Sequence, residues 1–329
     1  MSWRKLASVA FTALSLVGVA NAQNGHILWD PVGNTCDPLA QSGGQPDLAA
    51  AVKKVWYEIE YMASNALNVM NNLDSGNLRQ SDPWEYYRVA ATYNTFFDEN
   101  HPDGKARWIQ VRDALTTMSQ ASRQDNVYIA CDDDFMYQTD ANTGDIMWQR
   151  PHEIQVPNAQ VLNMGPNQMT CGKAHQQGKD LIGYRSDGGP TPTQQDPYYV
   201  IVCAKYQLSN VYLDSLTVQS GVSLDDYKSF TTTLFHEWLH VMLPQGMRGD
   251  MAGGTAQGGE RYGVAGTQQL RSDYAPENPD SITLFAVALA ASQWYWVTTQ
   301  AESQQDVWNR LNSDVDGRNV IQNLGLTYP

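Results

Sequence analysis

The sequence predicts an α+β fold, mostly helical with a small twisted sheet, and three observations predict it. Apolar residues recur at three- to four-residue steps from Leu48 to Leu73. Two β-like runs, Asn126 to Ala130 and Tyr198 to Val202, each stop at a cysteine. A run from Ile282 to Ala291 is almost wholly apolar and is followed by Trp294-Tyr295-Trp296.

The elements follow in order along the chain. Arg4 and Lys5 precede an apolar stretch, Leu6 to Val19, that ends in Ala20-Asn21-Ala22; this is the pattern of a secretory signal peptide cleaved before Gln23. Residues 23–47, rich in Gly, Pro, Asn and Asp, predict an irregular arm that Cys36 can tie down. The stripe Val52, Val55, Trp56, Ile59, Met62, Leu67 and Met70 predicts a long amphipathic helix. Two more helices are expected at Pro83 to Phe97, with Pro at its start, and at Lys105 to Ser122, bounded by Gly104. Residues 132–197 read as a long loop with one short strand at Asp145 to Gln149. His152 and His175 fall in this loop and read as solvated. Ser223-Leu224-Asp225-Asp226 reads as the start of a helix running to about Leu243, which Pro244 and Gly246 stop. Asn278, Pro279 and Asp280 suit the start of a buried helix over Asp280 to Val297.

Charge and cysteines narrow the class. The chain carries 21 basic and 35 acidic residues, a formal charge of −14. Loss of Arg4 and Lys5 with the signal peptide leaves 19 against 35, or −16. Such a surface repels nucleic acid and anionic lipid and attracts basic peptides. No later apolar run is long enough to span a bilayer, so no membrane partner is expected, and the protein is expected to be a monomer. Cys36, Cys131, Cys171 and Cys203 make an even set in an exported chain, which favours disulfides. Three connectivities are open, and Cys131 with Cys203 across neighbouring strands is one of them. A four-cysteine zinc site fits less well because no C-x-x-C spacing occurs.

The chemistry is carried by His236-Glu237-Trp238-Leu239-His240. Two histidines four apart on a helix project from one face and can share a single Zn²⁺. The Glu between them is placed to take a proton from a water that the metal has acidified. A catalytic zinc needs a third protein ligand. No third His follows at metzincin spacing, and no second helix offers a thermolysin-like Glu.

The order His236 to His240, Asp250, Tyr262-Gly263, then Asn278-Pro279-Asp280-Ser281 with Phe285-Ala286, resembles the fungal aspzincins over residues 225–297. Deuterolysins and peptidyl-Lys metalloendopeptidases make up that family. The resemblance implies a zincin-like fold, Asp250 as third ligand, Tyr262 steadying the oxyanion and Asp280 binding a substrate lysine. A Gly-rich insertion separates Asp250 from Tyr262 here, so Glu260 stands as an alternative third ligand and Asp273 as a more distant one.

The resulting expectation is a secreted, extracellular zinc metalloendopeptidase with one Zn²⁺ and one domain over residues 48–329, its catalytic core at about 125–300. Its partners are protein or peptide substrates, including lysine-containing ones. Two rival classes are a non-catalytic secreted zinc-binding protein that retains the same helix and a structural cell-wall protein with a chance motif.

Overall fold

The computed structural model describes residues 28–29, 35–36, 47–120, 127–139, 146–148, 162–163, 170–178, 183–186, 198–204, 212–227, 229–243, 260–270 and 274–329. Helix α1 (Leu48–Asp74) starts where the Asp47 carboxylate accepts the Ala50 amide at 2.9 Å, and it buries the stripe that its spacing predicts. After a short turn, α2 (Leu78–Ser81), helix α3 (Pro83–Phe97) has Pro at its first turn and Asp82 as cap. Helix α4 (Gly104–Met118) follows and packs on α1. The expected helices over 48–73 and 83–97 are therefore present. The third keeps its place, starting one residue earlier than expected and ending at Met118.

A four-stranded mixed sheet has the order β1-β2-β7-β6: β1 (Leu28–Trp29), β2 (Val127–Ala130) and β7 (Tyr198–Val202) are parallel, and β6 (Gly183–Ser186) is antiparallel to β7. Its two faces have separate cores. Val127, Ile129, Val200 and Val202 bury against the helices, while Ala130, Tyr199 and Ile201 bury in a second cluster with Met136. Burial on both faces explains why β7 reads as a continuous apolar run rather than an alternating one. It also sets the disulfides. Cys131 lies with the helical core and Cys203 with the second cluster, so the sheet itself separates them. The bonds are Cys36–Cys131 and Cys171–Cys203, and the pairing across neighbouring strands is corrected accordingly.

The stretch between β2 and β7 holds more structure than one short strand. A second sheet has β4 (Ile146–Trp148) between β3 (Tyr137–Thr139) and β5 (Leu162–Asn163), and helix α5 (Cys171–Gln176) is capped by Thr170. These elements are short, and α5 is tied to the end of β7 by Cys171–Cys203. Single-strand periodicity over two to four residues is too brief to stand out in such a polar sequence.

Two helix boundaries differ from expectation. The segment from Ser223 opens as a 3₁₀ turn at Leu224–Asp226, and a separate helix α6 (Phe230–Met242) begins at Ser229. Ser229 and Thr232 cap each other reciprocally, giving the chain a stronger start signal six residues beyond Ser223. Helix α8 (Pro279–Ala290), preceded by α7 (Gly263–Gln269), ends well short of Val297. Beyond it Tyr295 and Glu302 form an antiparallel bridge, and Trp296 is buried edge-on to Tyr227. Helices α9 (Gln304–Ser313) and α10 (Val315–Leu324) close the chain against α3, with the aromatic cluster Trp84, Tyr87, Tyr295 and Trp308 between them.

Helix α8 is buried on every side, which matches its almost wholly apolar run. It packs on α1, α3 and α6, and α6 is held between this helical layer and strands β6 and β7. Among the described residues no helix is long and apolar enough to cross a membrane.

Candidate metal centre

The centre is built on α6. Its apolar face, with Phe230, Leu234, Trp238 and Val241, enters the core, and Trp238 meets Trp56 of α1 edge to face at 4.5 Å between ring centroids. The start of the helix is bonded to α1 as well: the Glu58 carboxylate accepts the Thr231 hydroxyl and the Leu213 amide. With the helix axis and rotation so fixed, His236 and His240 face the same side and are both buried. Their Nε2 atoms lie 3.2 Å apart.

The third group arrives on the short segment leading into α7. Glu260 Oε1 stands 2.9 Å from His236 Nε2 and 3.0 Å from His240 Nε2. Side chains from two other places hold this segment. Asn278 accepts the Arg261 amide at 3.1 Å and donates to the Arg261 carbonyl at 3.0 Å. Asp280 Oδ2 accepts the Gly263 amide at 2.6 Å, and Asp225 Oδ1 accepts the Val264 amide at 2.8 Å. Gly263 has a φ of +68°, and a Cβ there would sit 3.0 Å from Asp225 Oδ1, so conformation and space both call for glycine. The break in the helix after Asp226 is what leaves Asp225 able to reach this segment.

The two histidines and the carboxylate present electron pairs to one point. Asp280 Oδ1 lies 3.2 Å from His236 Nδ1 and, as an acceptor, takes the Nδ1 proton, which orients the ring so that Nε2 faces Glu260, where either a second proton or a metal ion sits. Glu260 Oε1 is buried, with the two Nε2 atoms as its polar neighbours. Acceptors converging in this way require a cation among them, either a proton or a metal ion, and His236, His240 and Glu260 can hold a metal ion. Charge says the same. Burial pulls the His236 pKa down, but the carboxylates of Asp280, Glu260 and Glu237 outweigh it and push it up to about 10. Burial raises Glu260, yet the two imidazoles beside it hold its carboxyl well below the usual range.

Tyr262 stacks on His236, with rings 27° from parallel and centroids 5.5 Å apart. Its hydroxyl donates to Glu260 Oε2 at 2.5 Å. The residue as a whole is largely exposed, at 65 %, while its hydroxyl is desolvated beside Glu260, Glu237 and Asp280, which raises its pKa far above the usual value and keeps it protonated. Glu237 is partly exposed on the next position of α6, where a Cβ on Gly183 of β6 would come within 3.3 Å of its Cγ. The edge of the sheet thus runs directly past Glu237.

Of the residues singled out from sequence, His236, Glu237, His240, Glu260, Tyr262 and Asp280 are brought together. Asp250, Asp273 and His152 lie outside the described residues, and His175 is exposed on α5. Glu260, the alternative third ligand, is the carboxylate found with the two histidines. Asp280 has one oxygen on His236 and the other on the Gly263 amide. Sequence reasoning missed Gly183, Asp225 and the bonds of Asn278. Gly183 falls in the stretch read as loop, so nothing in the sequence marked it. No protein-family model matches the chain, and no curated protein matches it.

Proposed function

We propose that the protein is a secreted zinc-dependent endopeptidase of zincin-like fold, akin to the aspzincins, with His236, His240 and Glu260 as ligands of one Zn²⁺. The observation that carries this reading is the convergence of two Nε2 atoms and one carboxylate oxygen beside Glu237. A four-coordinate zinc with bonds of about 2.0–2.1 Å holds its donor atoms about 3.3 Å apart. The three donor–donor distances of 2.9, 3.0 and 3.2 Å are close to that, and a His₂Glu set leaves one position open. When bound, zinc supplies Lewis acidity, making a water acidic near neutral pH and polarising a peptide carbonyl.

The chain's own residues supply the rest. Glu237 accepts a proton at its carboxylate and returns it to the departing amine nitrogen, one group serving as base and then acid. The Tyr262 hydroxyl gives its one proton to Glu260 Oε2 and so steadies the third ligand in this arrangement; donating to an oxyanion would require that bond to open. Strand β6 lies at the sheet edge among the described residues and passes Glu237, a position that suits strand addition by an extended peptide. Peptide bonds of extracellular proteins are thus the substrate class; a signal peptide on the sequence and two disulfides agree with that compartment.

The test is zinc content and cleavage of an unfolded protein by the purified chain, beside Glu237→Gln. One zinc per chain with cleavage lost in the variant supports the peptidase. One zinc without cleavage in the wild type replaces it with a metal-binding protein that keeps the helix, and a chain that takes up no metal ends both readings.

A further inference from the structure

We infer that the start of α8 is a clip: Asn278 and Asp280 are positioning residues that set Glu260 against the two histidines and join the two halves of the metal centre. The inference rests on the reading of His236, His240 and Glu260 as metal ligands.

By sequence the two residues are a helix start, Asn as cap and Asp in the first turn, complementing the dipole. The structure uses them otherwise. Asn278 makes no side-chain capping bond to α8. It is buried, 2 % exposed, and both ends of its amide go to the backbone of Arg261, with its nitrogen also donating to Ser281 Oγ at 2.9 Å. Paired bonds to the N–H and C=O of one residue fix that peptide in position and rotation. Glu260, one residue earlier, thereby inherits its place from α8 rather than from its own irregular segment.

Asp280 completes the arrangement because its two oxygens serve different halves. Oδ1 holds the Nδ1 side of His236 on α6, and Oδ2 holds the Gly263 amide at the start of α7. A displacement of the Glu260 segment is therefore felt at the His236 ring, and the reverse. With both oxygens engaged and Asp280 on a helix buried on all sides, the clip is rigid. The same engagement makes Asp280 a group that orients a ligand rather than one open to a substrate lysine.

The experiment titrates Co²⁺ into metal-free full-length mature protein, following visible absorption, for the wild type, Asn278→Ala and Asp280→Asn. Melting of each metal-free protein is recorded alongside. Asp280→Asn is isosteric and keeps an acceptor for Gly263, so it remains informative where Asn278→Ala fails to fold. The expected result is one Co²⁺ per wild-type chain, about 10- to 100-fold weaker binding in each variant, and a changed absorption envelope in Asp280→Asn. Metal-free melting of Asp280→Asn is expected to stay with the wild type. Variants that bind Co²⁺ as tightly as the wild type overturn the clip alone. So does a loss of affinity that follows loss of folded protein. A wild type that binds no Co²⁺ overturns the metal centre and the clip with it.

Discussion

The two halves of the centre are held in opposite ways. Helix α6 is positioned by bulk: an apolar face in the main core, Trp238 on Trp56, and neighbours on two sides. Segment 260–264 is positioned by individual polar side chains, with Asn278, Asp280 and Asp225 each gripping one backbone amide. Strand β6 belongs with the second kind, since Asp133 ties it through the Tyr184 hydroxyl at 2.6 Å and ties α5 through the Cys171 amide at 2.9 Å. A helix in a core tolerates the loss of any one contact. A stapled segment depends on single atoms, which permits glycine-rich backbone to carry a ligand.

The largest expected effect tests the bulk-held half. Glu237→Gln should lower the cleavage rate about 10²- to 10⁴-fold while zinc binding stays within about twofold, because the carboxylate moves a proton and the helix keeps its place. Rate and bound zinc measured on one preparation check it. A parallel fall in both would make Glu237 a fourth ligand instead. The stapled half is tested next. Glu260→Ala should weaken zinc binding at least about 100-fold, more than the loss of an outer partner, whereas Asp250→Asn, outside the proposed ligand set, should change it about twofold at most. Equilibrium competition with a chromophoric chelator separates the two carboxylates, and the reverse order of effects would hand the third position to Asp250.

The same division decided what the sequence disclosed. Helices α1 and α3 were legible because repeating contacts leave a repeating pattern, α8 because burial on every side leaves an apolar run, and His236 and His240, with Glu237 between them, because they sit four apart on a helix. Glu260 was not distinguishable from Asp250, since nothing periodic marks which carboxylate a distant Asn holds in place. The division between the 3₁₀ turn and α6 was hidden because Ser223 and Ser229 are both good caps, and the packing of Tyr227 on Trp296 that accompanies it is a tertiary contact. Helices α9 and α10 carried signals that were there to read: the reciprocal Ser303 and Asp306 cap, and Gly325 in the left-handed conformation at the end.

A smaller effect is expected where β6 passes α6. A Cβ at Gly183 would stand 2.9 Å from the Ile201 carbonyl oxygen and 3.3 Å from Glu237 Cγ. The backbone contact cannot yield without moving the strand, so Gly183→Ala should shift the edge away from Glu237 and lower kcat/KM about tenfold, within the range that small misplacements cause. Zinc binding should be unchanged, because the ligands lie on other elements. Unaltered kcat/KM would show that substrate does not lie along β6.

The smallest effect reports on the staple of that strand. Asp133 is fully buried, and one of its oxygens makes no hydrogen bond. Burial raises its pKa, outweighing the bonds from Tyr184 and the Cys171 amide. Between the ordinary carboxylate value and that raised one, the folded chain binds more protons than the unfolded chain, so this residue makes stability fall as pH rises through the window. Asp133→Asn removes the charge and with it that slope. Urea midpoints of wild type and variant from pH 4 to 7 should therefore diverge in the variant's favour as pH rises, all other carboxylates contributing equally to both. Parallel curves would mean that Asp133 is ionised in the fold at no cost, with water or an ion at its open oxygen, and that β6 is stapled by a charge rather than by a proton.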